Sequence, residues 1–472
     1  MKILLGAILL TYASFVYSVP SFPGCQGGGC ISVGGRGGAV FEVTNLNDSG
    51  AGSLRACVEA VGARTCVFKV GGTINMLSGF YLTNPYLTVA GQTAPGGGIL
   101  LSGKAIAQHM VVLSAHDMIW RYMRHRKGYS SACSVAATSD CGATMISESR
   151  AYNIVIDHNS TSWNQDEGIG FWSATATSPV VKNVTVSYNL IAEGLISHST
   201  GIITGGAATL TDQMTDIDIH HNLIINNSHR NPLLKHKSSR LVNNVYYNQN
   251  FYVNQMGGGV SVDIINNLFK LGPMNKSATH EIQAYSDGSV DLAVGNPSAY
   301  VVGNIGWHQA SSSGNQWLMA SQVLGENGSD TSNLPFPTAW QRATALANTL
   351  YPIVSNTTAI MEPLVVASAG ASQKLNCNGT WAANRDAVDT RLNTQYNTNT
   401  GITVLPTTED DVGGFPTIVS GTPCADTDHD GMPDVWESAN HLNPNLSSDG
   451  AAIIASGQNA GYSNLEIYLA GR

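Results

Sequence analysis

A short segment that keeps returning limits the possible folds more than any other feature of the chain. Asn153-Ile-Val-Ile-Asp-His-Asn159, Asn183-Val-Thr-Val-Ser-Tyr-Asn189, Asp216-Ile-Asp-Ile-His-His-Asn222 and Val262-Asp-Ile-Ile-Asn-Asn267 are each a run of alternating β-branched residues closing on asparagine. Leu241-Val-Asn-Asn-Val245 and Tyr300-Val-Val-Gly-Asn304 continue the series. The asparagines at 159, 189, 222, 244 and 267 recur every 22 to 33 residues, a solenoid period. Parallel stacking at about 4.8 Å buries the Ile, Val and Leu side chains inside and aligns the amides as a ladder. We assign the asparagine to a sharp turn, since it tolerates left-handed backbone better than most residues. Hairpin signals between the strands are scarce, which argues against an antiparallel sandwich. The expected architecture is an all-β parallel β-helix.

At 472 residues the chain could hold several domains, but 12% charged residues and 50 glycines suit one long body rich in turns. A solenoid must cap its first coil. Ser53-Leu-Arg-Ala-Cys-Val-Glu-Ala-Val61 predicts a capping helix with Ser53 as N-cap and Leu54, Cys57, Val58 and Val61 on one face. Cys66 could tie it to a strand at Val67–Val70. From about 310 to 420 the repeat blurs into Asn/Ser/Thr-rich sequence, read as wrapping segments with one helix near Trp340–Ala347.

Lys2 followed by the apolar run Ile3–Tyr17 and by Val16-Tyr17-Ser18 reads as a signal peptide over 1–18, too short for a membrane anchor. The remainder divides into a β-helix domain at 19–420 and a terminal segment at 421–472. Eight cysteines behind such a leader imply disulfides in an exported protein. The simplest pairing is Cys25/Cys30, Cys57/Cys66, Cys133/Cys141 and Cys377/Cys424, although spacing does not fix connectivity. Asn47, Asn183, Asn226 and Asn378 open glycosylation sequons.

Net charge is −9, yet Arg230, Lys235, Lys237 and Arg240 crowd one stretch. A basic knot on an acidic chain suggests a local anion site; the bland reading is a loop whose cations balance nearby carboxylates. Near the C-terminus, Asp426, Asp428, Asp430, Asp434 and Glu437 stand at positions 1, 3, 5, 9 and 12 of an EF-hand-like loop, with Gly431 at the turn. This is read as a structural Ca2+ site.

Together these residues resemble the secreted pectate lyases of polysaccharide lyase family 1, most closely the fungal pectate lyase C type. The resemblance runs through Gly34-Gly-Arg-Gly-Gly38, Val43-Thr-Asn-Leu-Asn-Asp-Ser-Gly50, Gly52-Ser-Leu-Arg55 and Ala90-Gly-Gln-Thr-Ala-Pro95. It continues through Ile156-Asp-His158, Ser162-Trp163, Asp166-Glu167, Arg230-Asn-Pro232, Arg385-Asp-Ala-Val-Asp-Thr-Arg-Leu392 and the calcium loop. It implies a right-handed, single-stranded parallel β-helix that cleaves polygalacturonate by calcium-assisted β-elimination. Arg230 then takes the place of the base, Lys235 and His198 bind substrate, and Asp166 and Glu167 hold the catalytic calcium.

An arginine base must lose its proton far below its usual pKa of about 12.5. Lys235 and a bound calcium ion are expected to push it down. Asp157 and His158 are read as fixing a turn. Two departures stand out. Gly142-Ala143-Thr144 lacks an aspartate that many family members carry, unless Asp140 substitutes, and no lysine closely follows His198.

Two other functions compete. A polygalacturonase-type hydrolase needs several carboxylates around the glycosidic bond, and no such clustered motif set is found. A non-catalytic polyuronate-binding solenoid is favoured by Ala143. The protein is expected to act as a secreted monomer without nucleic-acid or membrane partners, because its basic residues are few and local.

Overall fold

The computed structural model describes residues 19–131, 133, 142–148, 150–173, 180–196, 198–274, 279–286, 295–326 and 334–472. The expected signal peptide, Asp140 and Cys141 lie outside them.

One coil shows how the solenoid is built. Tyr152–Asp157, Ser160–Ser162 and Glu167–Ser173 each join a different sheet, and Lys182–Ser187 then returns to pair in parallel with Tyr152–Asp157. Repetition gives two ten-stranded sheets and one eight-stranded sheet among the described residues. We call the sheet of Tyr152–Asp157 the first, that of Glu167–Ser173 the second and that of Ser160–Ser162 the third.

Parallel register stacks equivalent side chains. Val89, Trp120, Ile156, Val186, Ile219, Leu241, Ile264 and Val301 stand opposite one another on successive strands of the first sheet. All belong to the central core, where burial stabilises each aliphatic side chain by ~1.5–3 kcal/mol.

The asparagines form the expected ladder. The backbone N–H of Asn159 donates to Asn189 Oδ1 at 2.8 Å, and the pattern passes through Asn222, Asn244, Asn267 and Asn304 to Gln316. The left-handed residue, however, is the one before each ladder asparagine: His158, Tyr188, His221, Asn243 and Asn266 have φ between 52° and 56°. The ladder asparagine points inward instead and satisfies backbone groups that the turn would orphan. Asn222 donates to the Val186 and His220 carbonyls and to Asn244 Oδ1 while accepting from Asn189. Asn222→Ala should therefore destabilise the fold by about 3 kcal/mol, read by denaturant unfolding; an unchanged midpoint would refute the assignment.

The cap is shorter than the sequence suggests. Its helix spans Leu54–Val58, with Ser53 accepting from the Ala56 N–H. Val61 lies beyond the helix and is 86% exposed, and the following strand is Arg64–Phe68. The helix stops early because Gly62 takes a left-handed turn into that strand. Disulfides join Cys25–Cys30, Cys57–Cys66 and Cys377–Cys424. The proposed Cys133–Cys141 pair falls partly outside the described residues. The Asn226 sequon is buried, its amide donating to Gln395 and Glu193, so the folded chain offers no glycan acceptor there.

The wrapping segment carries helices at Thr358–Ser368 and Ala387–Thr398, whereas near Trp340 there is only a 3-10 turn, Thr338–Trp340. Met361, Val365, Val388, Leu392 and Tyr396 cover the outer face of the third sheet at Leu190, Leu223, Ile225 and Tyr247. Residues 421–472 dock on the opening coils through Lys69–Asp426, Glu42–His429 and Arg36–Glu466. No helix among the described residues is long and apolar enough to cross a membrane.

Candidate active site and acidic loop

The basic run does not form a single cluster. Arg240 enters the first sheet and pairs with Asp216 and Asp218, and Lys237 pairs with Asp212. Only Arg230 and Lys235 flank the short second-sheet strand Leu233–Leu234 and meet in one cleft. The strand alternates sides and the turn after Lys235 leaves for another sheet, which separates residues close in sequence.

Arg230 sits at φ 55° just before a cis Asn231–Pro232 bond. Its carbonyl accepts from Ile202, and Asn231 donates its N–H to Val253. Gly201 leaves the room this turn needs. A methyl group there would collide with the Asn231 side chain and lie 2.8 Å from the Arg230 carbonyl oxygen. If this turn aims the reactive group, Gly201→Ala should cost roughly 10²-fold in kcat on polygalacturonate, since small misplacements are that expensive. Unaltered kinetics would show that the turn does not set the geometry.

Arg230 Nη1 donates to Glu167 Oε1, and Nη2 lies 3.3 Å from Glu326 Oε1. Glu326 Oε2 is 2.6 Å from Lys235 Nζ, whose ammonium also lies 5.8 Å from the Trp172 ring centre. Asp166, Glu167 and His198 offer ligand atoms all within 4.8 Å of one another.

The electrostatics follow from this crowding. Burial and the neighbouring Glu167 charge push Asp166 up to about 9. Burial opposes ionisation of Glu167 too, but the hydrogen bond from Asp166 and the Arg230 charge outweigh it and hold Glu167 below its ordinary value. Simultaneous ionisation of the two acids is thus opposed by burial and by their mutual repulsion. Burial and then Arg230 lower His198, keeping its ring neutral and able to ligate. The converging Asp166 and Glu167 carboxylates supply the hard oxygen ligands that a divalent cation such as calcium takes.

Two expectations change. The neighbours of Arg230 are mainly acids: burial works against its charge, but Glu167, Tyr252, Glu326 and Asp166 raise its pKa above the usual arginine range. Lys235 does not lower it, because its ammonium pairs with Glu326. His198, read as a substrate contact, is placed 3.6 Å from Asp166 beside the acidic pair. Asp157 holds Arg121, Ser187 and His158, away from the cleft. Ala143 is buried on the strand path and supplies no carboxylate.

In the C-terminal loop the convergent group is Asp428, Asp430, Glu437 and Asp449. Asp434 turns instead to the Thr427 N–H and hydroxyl, while Asp426 pairs with Lys69 through Oδ2 and leaves Oδ1 buried without a hydrogen-bond partner. Asp449 comes from outside the contiguous loop. Both Glu437 oxygens, both Asp428 oxygens, Asp430 Oδ2 and Asp449 Oδ1 are buried without hydrogen-bond partners. Burial and mutual repulsion push Asp430 up to about 7 and Glu437 to about 8. Such orphaned acceptors fit a hard cation.

Fold and cleft define a β-helical protein with a cation pair facing clustered acids on one outer sheet. No protein-family model matches the chain. Probable pectate lyase C of Neosartorya fischeri is 31% identical over 466 residues, covering 98% of this chain and 95% of that one. The protein of the same name from Aspergillus flavus is 32% identical over 467 residues, covering 97% and 95%. The chain belongs to the pectate lyase C family. Among solved structures, cedar pollen allergen jun a 1 covers 73% of this chain and 92% of its own at 17% identity and TM-score 0.47. A pectate lyase bound to hexasaccharide covers 75% and 98% at 13% identity and TM-score 0.47.

Proposed function

We propose that this protein is a secreted pectate lyase that cleaves polygalacturonate by β-elimination in the cleft of Arg230, Lys235, Asp166 and Glu167. The observation that carries this reading is the placing of two cations, Arg230 and Lys235, beside the converging carboxylates of Asp166 and Glu167. That arrangement suits an anionic sugar whose carboxylate is shared between a metal and a positive clamp. Calcium held by Asp166 and Glu167 would supply Lewis acidity toward that carboxylate. Lys235 neutralises a uronate, and Arg230, aimed by its strained turn, takes the C5 proton as the 4-linked oxygen departs.

Arg230 at rest is a charged partner of Glu167 and Glu326, so it can act as base only when those carboxylates are engaged elsewhere. Its contacts with Glu167 and Glu326 favour a second reading in which Arg230 anchors the substrate and solvent hydroxide removes the proton. Both readings make rate increase with pH through the alkaline range. The Asp428, Asp430, Glu437 and Asp449 cluster is assigned to a structural calcium that fixes residues 421–472 to the solenoid.

Incubation with polygalacturonate and calcium tests the reaction. Unsaturated, ultraviolet-absorbing ends are expected. Reducing ends without that absorbance would indicate a hydrolase, and unchanged polymer with saturable binding would indicate a glycan-binding solenoid.

A further inference from the structure

One row on the outer face of the second sheet alternates between bulky side chains and none. Glu148 stands opposite Trp172, Trp172 opposite Gly205, and Gly257 opposite Tyr285 in the parallel register. Lys235 follows Leu234 on the path between the two glycine strands, and its N–H donates to the Thr204 carbonyl. Each glycine makes room for the aromatic residue beside it. A Cβ on Gly205 would lie 2.7 Å from the Trp172 indole, and one on Gly257 would collide with the Tyr285 ring. Both rings thus lean toward Lys235, from opposite sides, and its ammonium is 5.8 Å from the Trp172 ring centre. They differ in cover. Tyr285 is 1% exposed among Ile203, Leu233 and Val323, whereas Trp172 packs against the same patch and keeps part of its surface open.

We infer, resting on the uronate reading above, that Trp172 is a stacking platform for the galacturonate ring next to the one that Lys235 holds. The chemistry is that of a flat apolar surface. In a galactopyranose the axial O4 leaves the hydrogens of C3, C4 and C5 on one face, and these weakly positive hydrogens suit the electron-rich face of an indole. Register supplies the position. Leaning over Gly205, the indole lies about one coil, ~4.8 Å, from the strand of Lys235 along the solenoid axis. One sugar of a polymer running along that axis covers about the same span. A chain with one carboxylate on Lys235 therefore lays the neighbouring ring on Trp172. The contact is made equally before and during proton removal, so its loss falls on KM and spares kcat.

Trigalacturonate titrated with calcium at pH 6, where elimination is slow, into wild type, Trp172→Phe and Trp172→Ala tests this by calorimetry and tryptophan fluorescence. Melting curves identify the folded variants. Alanine should weaken binding by roughly tenfold, the loss expected of an aromatic anchor. Phenylalanine keeps a flat ring and should hold affinity within about threefold, while abolishing the fluorescence change that the ligand causes in wild type. If alanine does not fold, the fluorescence of the phenylalanine variant decides. An apolar contact is not screened, so the ratio of wild-type to alanine affinity should be the same at low and high salt. A ratio that shrinks with salt would show that Trp172 only places Lys235, and would overturn the platform. Unchanged binding in a folded alanine variant, or a fluorescence change that survives in Trp172→Phe, would overturn it too. Unsaturated-end assays at alkaline pH should show KM raised about tenfold in the alanine variant with kcat little changed. Binding that depends on Trp172 without unsaturated product would uphold the platform and overturn the lyase reading. Absence of binding by wild type would overturn both.

Discussion

Replacing Arg230 with alanine is expected to lower kcat on polygalacturonate by roughly 10²–10⁴-fold, the range for a group that moves the proton in the transition state. The loss should fall mainly on kcat, because Lys235 remains to hold a carboxylate. Arg230→Lys separates the two roles. Lysine keeps a charge beside Glu167 but titrates about two units below arginine. If residue 230 is the base, the alkaline break in the pH–rate profile should move down by about that interval. If it is an anchor and hydroxide is the base, the wild-type and lysine profiles should superimpose. An alanine variant with full activity would exclude both. Because Glu167 is buried against Arg230, the alanine variant should also be less stable without calcium and recover when calcium is added.

The second large effect concerns the C-terminal cluster. Asp430 and Glu437 have folded pKa values raised to about 7 and about 8, above the carboxylate range of an unfolded chain. The sign follows from proton linkage: a raised acid stabilises the folded form below its unfolded pKa and loses that contribution as pH climbs through the folded value. With chelator present, the 421–472 segment should therefore weaken between about pH 4 and 8. Calcium takes the place of the lost protons and should flatten the profile. At a hundredfold excess over its dissociation constant it adds about 2.7 kcal/mol. Scanning calorimetry with and without chelator, at pH 5 and pH 9, reads this directly. Asp449→Asn should abolish most of the calcium effect and Asp434→Asn little of it; the reverse order would favour the contiguous EF-hand pattern over the geometry described.

The solenoid was legible because its signal is local and repeated. A β-branched run closing on asparagine specifies one coil, and parallel register does the rest. The error lay one residue away: His158 and Tyr188, with no conformational hallmark, take the left-handed turn, while the amides of Asn159 and Asn189 satisfy the backbone from inside. The helix Thr358–Ser368 has no clear signature in the sequence, since Pro363 within it is a residue that ordinarily breaks helices.

The candidate site was only half legible. Asp166, Glu167, Arg230 and Lys235 lie in recognisable motifs, and the fold brings them together. Glu326 stands 96 residues beyond Arg230 in a stretch without periodicity, so no local pattern links the two. Asp449 joins the acidic loop in the same way, from outside any contiguous spacing. The charge state of Arg230 was the least legible feature. It depends on which acids arrive from other coils and loops, and in the metal-free chain these outweigh Lys235, whereas the expected lowering was for Lys235 together with a bound calcium ion.

The most direct measurement is a crystal structure of the Arg230→Ala variant with trigalacturonate and calcium, in which turnover is too slow to remove the ligand. A uronate carboxylate should lie within ~3.2 Å of Lys235 Nζ, with calcium on Asp166 and Glu167. Saccharide bound elsewhere, with no ion at the acidic pair, would contradict the account.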